Sequence, residues 1–249
     1  MVLENGDFVR INYIGTIKES SKVFDTTIEK VAKENNIYDD KITFKAAPMV
    51  IGAGHAIKGL DEGLRGMEVG EKKVCDIPPE KAYGSRDPSL VKVIPLKEFK
   101  RQGVKPFPGM MFESDGKVGK VQSVGSGRVR IDFNYGLAGK TLEYDITVEE
   151  KINKIEERIR LLLEDHFPYA DPNDHEIKLT GGKSTITLAD IAKIKKEAIL
   201  GKHSASADIF RFIDVVNEVE FLDVFKRPEK SVKKRPKKGT KTKEKSKKS

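Results

Sequence analysis

Residues 52–72, GAGHAIKGLDEGLRGMEVGEK, place six glycines in 21 positions, and nothing else in the chain narrows the fold as much. Glycine at that density either turns the backbone tightly or lets two elements approach closely. Within the stretch, Ile57, Leu60 and Leu64 recur at i, i+3 and i+7, which predicts a short amphipathic helix over 57–65. A phosphate-binding loop is excluded on detail. The dinucleotide fingerprint needs a third glycine at set spacing and a crossover after it, and the P-loop needs Gly-Lys-Ser/Thr. Here Lys58 precedes Gly59, and Leu60 follows. The glycines are left to shape a turn and a helix that packs closely on its neighbour.

That neighbour reads as a sheet. In DFVRINYIGTIK, residues 7–18, Val9, Ile11 and Tyr13 alternate with Arg10 and Asn12, the period of a half-buried strand. VFDTT reads as a strand end, TFKAAPMVIG as extended, EKKVCDIP as a strand stopped at Pro78-Pro79, and KTLEYDITVEE as a long alternating strand. Residues 27–42 are a polar excursion with room for one helical turn. Between 86 and 134 the texture changes to prolines and the turn signals SDGK and GSGR, which predicts a small all-β unit of hairpins. Farther on, Ile152, Ile155, Ile159, Leu162 and Leu163 share one helical face. HEIKLTGGKSTITL reads as a hairpin about Gly181-Gly182, LADIAKIKKEAIL as a helix ending at Gly201, ADIFRFIDVVN as another, and EVEFLDVF as a final strand. The fold class expected is α+β. The divisions expected are 1–85 with 137–152, then 86–136, 153–226 and a tail, 227–249.

The net charge of +8 conceals a segregation. Residues 226–249 hold 13 Lys or Arg against two Glu, a net of +11, so residues 1–225 carry −3. A like-charged tail with Val232 as its one sizeable apolar residue is expected to be disordered. Cys75 is the only cysteine, which excludes an intrachain disulfide and fits a reducing, cytoplasmic location. There is no run of 18 apolar residues and no secretory leader pattern at MVLENGDFVR. His55, His166, His175 and His203 are scattered, so neither a metal site nor a cofactor is expected.

The order YIGTI, VFDTT, GHAIKGLDEGLRGMEVGEKKVCDIPPEKAYG and, much later, LEYDITV resembles the FKBP family of peptidyl-prolyl cis-trans isomerases. The motifs cover about 100 residues, split around the middle insertion. The resemblance implies a curved antiparallel sheet crossed by a short helix whose first turn floors an apolar, proline-sized pocket. The middle insertion and the additional C-terminal domain resemble the long-type archaeal members, related to the SlyD group, in which the insertion is the insert-in-flap chaperone domain. NYGLAG, residues 134–139, closes the insertion as in that group. The His- and Cys-rich metal tail of SlyD proteins has no counterpart here.

The chemistry of that family needs no covalent step. Amide resonance sets a barrier near ~20 kcal/mol to rotation about an X-Pro bond. The twisted amide is less polar at its C–N linkage, so an apolar pocket that strips water favours it, and oriented donors fix the flanking carbonyls. Matching motifs imply that Tyr13, Phe24, Ala56, Leu60 and Tyr144 line the pocket, with Tyr135 and Leu137 at its rim. They imply that Ile57 offers a backbone N–H, that Tyr83 offers its hydroxyl to the carbonyl before proline, and that Asp25 sits by the twisting carbonyl, held by Tyr13. Residue types alone leave other readings open, with Tyr13 and Phe24 as strand core and Asp25 as the cap of a turn. Many small members carry Trp where Leu60 stands, and Leu60 makes a shallower floor.

In the insertion, Val93, Ile94, Phe99, Phe107, Met110, Met111 and Phe112 are many apolar residues for about 50 positions. Either they form its core, or they present a patch that grips unfolded chains. The function expected is catalysis of X-Pro isomerisation in folding proteins, with chaperone activity in the insertion. The alternative is a non-catalytic chaperone or a ribosome- or nucleic-acid-associated protein. Expected partners are proline-containing unfolded chains, a second copy of the chain through the C-terminal domain, and weak RNA or ribosome contact through the Lys-rich tail.

Overall fold

The computed structural model describes residues 2–114 and 116–225, so the predicted tail, 227–249, lies outside the described residues. Four strands come first: β1 (Phe8–Ile17), β2 (Lys22–Thr26), β3 (Ala47–Val50) and β4 (Lys72–Ile77). The insertion contributes β5 (Val91–Pro95), β6 (Met111–Ser114), β7 (Lys117–Gly125) and β8 (Arg128–Asp132). The chain returns through β9 (Leu142–Ile152) and continues to β10 (Glu176–Thr180), β11 (Lys183–Thr187) and β12 (Glu218–Leu222).

The first sheet runs β2-β1-β9-β4, with β3 also beside β1, and every pairing is antiparallel. Strand β1 is its spine. Its first half pairs with β3, its second half with β2, and its whole length with β9. After the polar excursion, which forms the one helix α1 (Glu29–Glu34), helix α2 (Lys58–Leu64) crosses this sheet. Leu60, Leu64, Val9, Ile11, Ile77, Ile146 and Val148 bury one core between helix and strands. The glycines explain the closeness. A Cβ on Gly59 would stand 2.2 Å from Ile77 Cγ2, and one on Gly63 would stand 2.9 Å from Cys75 Sγ. Both are nearer than packed carbon atoms tolerate, so this helix face must be bare.

The insertion is a separate four-stranded antiparallel sheet, β5-β8-β7-β6. A short helix not anticipated from the prolines and turn signals, α3 (Leu96–Arg101), covers one face. The C-terminal region forms a third sheet. The predicted hairpin is present as β10 and β11, and β12 lies parallel to β11. Helices α4 (Ile155–His166), α5 (Asp190–Ile194) and α6 (Ala198–Phe212) pack around it.

Three local expectations change. Ile152 closes β9 and does not join the helix, which begins at Ile155. The residues read as two helices instead form α5, a break, and one continuous α6. Gly201 therefore lies inside α6 and is not its cap. A Cβ there would meet the Phe167 ring at 2.9 Å, so the glycine serves close packing against the end of α4. The strand β1 is also buried on both sides at its start. Val9 faces the first core, while Phe8 enters the C-terminal core with Val50. Arg10 and Lys45 both pair with the nearly buried Glu164 of α4 across the same junction.

Candidate active site

The second half of β1 and the facing part of β9 gather one cluster of aromatic and aliphatic side chains above α2. Tyr13 and Gly15 on β1 stand opposite Ile146 and Tyr144 on β9. The Tyr13 and Tyr144 rings lie 5.6 Å apart, and Phe24 of β2 meets Tyr144 edge-on at 5.9 Å. Leu60 and Tyr144 are buried in the core, with Tyr13, Phe24, Ala56, Ile57 and Leu137 half-buried against it. These residues come from five separate stretches of sequence, and the fold brings them together. Tyr83, 38% exposed, stands at the edge and packs its ring on exposed Tyr135 at 4.8 Å.

Few polar groups enter this cluster. Tyr13 donates its hydroxyl proton to Asp25 Oδ2 at 2.8 Å. Asp25 itself accepts no backbone N–H among the described residues. The following Thr26 and Thr27 make the local bonds: Thr26 Oγ1 donates to the Tyr13 carbonyl at 2.9 Å, and the Tyr13 N–H donates to Thr27 Oγ1 at 2.9 Å. The Asp-Thr-Thr sequence thus pins β2 to β1 and leaves the carboxylate pointing out. Burial, and then the Asp25 charge, pushes the Tyr13 phenol well above its usual value. Burial does the same for Tyr144 and, less strongly, for Tyr83. All three hydroxyls stay neutral.

The lead-in to α2 supplies the remaining donor. Ile57 is the residue before the first helical turn, where N–H groups have no partner within the helix, and its N–H makes no bond among the described residues. Gly52 and Gly54 take positive φ, +81° each, a backbone that side chains resist. Nearly buried Asp61 holds the loop by accepting from the Gly52 N–H at 2.7 Å. On its outer side His55 touches the Phe212 ring at 6.1 Å, so the C-terminal unit braces the same loop.

The chain is 40% identical over 149 residues to a short-type peptidyl-prolyl cis-trans isomerase of Methanocaldococcus jannaschii, a match covering 60% of this chain and 94% of that protein. It is 30% identical over 110 residues to an FKBP-type 16 kDa peptidyl-prolyl cis-trans isomerase of Escherichia coli, covering 43% of this chain and 74% of that one. The chain belongs to the FKBP-type peptidyl-prolyl cis-trans isomerases. Two further matches lie outside the FKBP sheet. Residues 92–137 match the family described as FKBP26, IF domain, and residues 155–226 the one described as FKBP26 C-terminal. The architecture is the α+β one expected, an FKBP sheet with an inserted domain and a C-terminal domain.

Sequence reasoning missed two supports of this cluster. A Cβ on Gly15 would stand 2.9 Å from the Phe24 ring and 3.3 Å from Tyr144, so Gly15 is what lets the two rings meet. Gly15 is visible in YIGTI, but its purpose needs the cross-strand register. Asp61 reads as an exposed helix residue until the loop folds back onto it. In the insertion, one expected surface residue moves inside. Phe99 is 1% exposed and forms the core with Val121, Val129 and Ile131, because α3 turns it toward the sheet. Ile94, Met110 and Phe112 are half-buried against that core, while Val93, Phe107 and Met111 are exposed. Among the described residues no group of His, Cys, Asp or Glu is arranged to hold a metal, and no helix is long and apolar enough to cross a membrane.

Proposed function

We propose that the aromatic cluster between β1, β9 and α2 forms the pocket that binds the proline ring of an unfolded chain and lowers the barrier to X-Pro rotation without covalent chemistry. The observation that carries this is the Tyr13–Asp25 pair set beside the clustered Phe24 and Tyr144 rings. Phe24, Tyr144 and Leu60 strip water from the amide, which favours the less polar twisted state. Ile57 donates its N–H to one substrate carbonyl, and Tyr83 donates its hydroxyl to the carbonyl before proline. Asp25, held by Tyr13, faces the twisting carbonyl carbon. Tyr135 stacks on Tyr83 and fixes its direction, with Ala56 and Leu137 closing the sides. Such fixed donors need no rearrangement when the amide twists. Isomerisation of a proline tetrapeptide by wild type and by Phe24→Ala tests this. Equal activity with an intact fold would place the chemistry elsewhere.

The inserted sheet, in this reading, holds unfolded chain beside the pocket through Val93, Phe107 and Met111, with Ile94, Met110 and Phe112 beneath them. Support comes from its small core of four fully buried apolar residues, which leaves these side chains in water. Residues 1–85 with 137–152 act as the catalytic unit, 86–136 as the holding unit, and 153–226 as a brace. Exposed Ile194, Ile199 and Leu200 on the C-terminal unit favour pairing with a second copy. Light scattering that returns a monomer at working concentration would remove that last reading.

A further inference from the structure

The inserted sheet has two unlike faces. Val121, Val129 and Ile131 lie on the face covered by α3. Cross-strand register assembles the other. Val93 stands beside Arg130 and Arg130 beside Ser123, while Pro95 and Gly125 flank Arg128. Lys120 sits between Asp132 and Met111, and Val118 beside Glu113. Val93, Val118 and Met111 are 57%, 54% and 61% exposed. Arg128, Arg130 and Lys120 are also exposed and make no ion pair among the described residues. Asp132, by contrast, is engaged by Arg86 and Gln122, which leaves Glu113 as the one uncommitted acid on this face among the described residues.

The charge of the whole unit agrees. Residues 86–136 hold ten Lys or Arg against five Asp or Glu, net +5, so the remainder of 1–225 carries −8. A basic, partly apolar face is carried on an acidic body.

We propose that this face selects, from unfolded chains, extended segments that mix apolar residues with Asp or Glu. The inference rests on the insertion holding unfolded chain at all, as read above. An extended segment sends alternate side chains to opposite sides every two residues, about 6.6 Å apart. Apolar side chains can cover Val93, Val118 and Met111 while neighbouring carboxylates reach Arg128, Arg130 and Lys120. The cations steer acidic segments in and repel basic ones, which sets preference more than raw strength. Exposed charges are screened by salt, so the preference is salt-dependent.

The test uses the full chain and two labelled, proline-free peptides with the same Val, Leu and Phe residues, one interspersed with Glu and one with Lys. At low salt the Glu peptide binds about tenfold tighter, the combined effect of three ordinary surface contacts. Arg128→Ser/Arg130→Ser/Lys120→Ser closes that gap, and Arg128→Glu/Arg130→Glu inverts it. Raising the salt also closes it. Equal binding of the two peptides by wild type overturns the charge selection while leaving the holding role intact. Binding of neither peptide overturns the holding role and the selection together. A preference that survives the triple substitution belongs to another basic part of the chain, such as residues 226–249, and overturns the assignment to this face.

Discussion

Around the pocket, thirteen apolar side chains are buried in one cluster between α2 and the first sheet. In the insertion four are, and Val93, Phe107, Met111 and Val118 stand in water. The two regions draw on similar residue types. What differs is the amount of structure available to cover them. A ten-residue β1 paired along its whole length with an eleven-residue β9 gives α2 a broad floor. Strands of four to nine residues and a six-residue α3 cannot cover both faces of a sheet. The pocket residues consequently close into a finished core, whereas the inserted sheet keeps apolar side chains exposed on its surface.

The comparison is most sharply broken through stability. Ile131→Ala removes about a quarter of the insertion's fully buried core, and a buried Ile→Ala costs about 2–5 kcal/mol. Amide exchange in 86–136 is expected to rise strongly, while tetrapeptide turnover stays within a few-fold of wild type. Loss of both together would mean that the pocket depends on the insertion for its shape. Phe24→Ala is the reverse experiment. It opens the aromatic cage to water and should lower kcat/KM on a tetrapeptide by roughly 10²-fold, with exchange in the insertion unchanged. Tyr83→Phe removes one hydrogen bond, about 0.5–1.5 kcal/mol or up to about tenfold in kcat/KM. A larger fall would indicate that Tyr83 also holds Tyr135 in place.

These contrasts were unevenly legible in the sequence. The glycine stretch and the alternation of Val9, Ile11 and Tyr13 were enough for the helix on the sheet, because period and glycine spacing are local signals. Whether Phe99 was core or patch was not legible, since only α3 decides which way it turns. Gly201 looked like a helix end because glycine commonly is one, and the Phe167 ring that demands it comes from 34 residues earlier in the chain. Phe8 sits one position from Val9 on the same strand and serves a different core. A strand with covered faces on both sides cannot be told from a half-buried one until the second cover is known.

The smallest effect concerns pH. The pocket's phenols are pushed up by burial, so peptide turnover should be flat between about pH 6 and 9. His175 in the C-terminal core behaves oppositely. Burial, and then the Arg160 guanidinium, lowers its pKa, with Asp174 and Asp171 opposing more weakly. Its Nδ1 accepts the Ala189 N–H, a bond the protonated ring cannot make. The unfolded chain therefore takes up a proton that the folded one refuses. Stability is full above about pH 6.5 and declines as the pH falls below it. Melting curves at pH 7.5 and 5.5 should show that decline in wild type and a smaller one in His175→Gln. Equal declines would assign the acid sensitivity to other groups.

The central claim is that one region performs the rotation and the other brings the chain to it. The direct measurement is a paired assay on the wild type and on a form with 86–134 replaced by a short turn. One substrate is a proline tetrapeptide, the other a protein whose refolding is limited by proline isomerisation. Tetrapeptide turnover should survive within a few-fold, because the pocket residues lie outside the replaced segment or at its edge. Catalysis of refolding should fall by about 10²-fold or more, the lower range of what linked binding sites confer through effective concentration. A parallel fall in both activities would contradict the division of labour and leave the insertion as a support for the pocket alone.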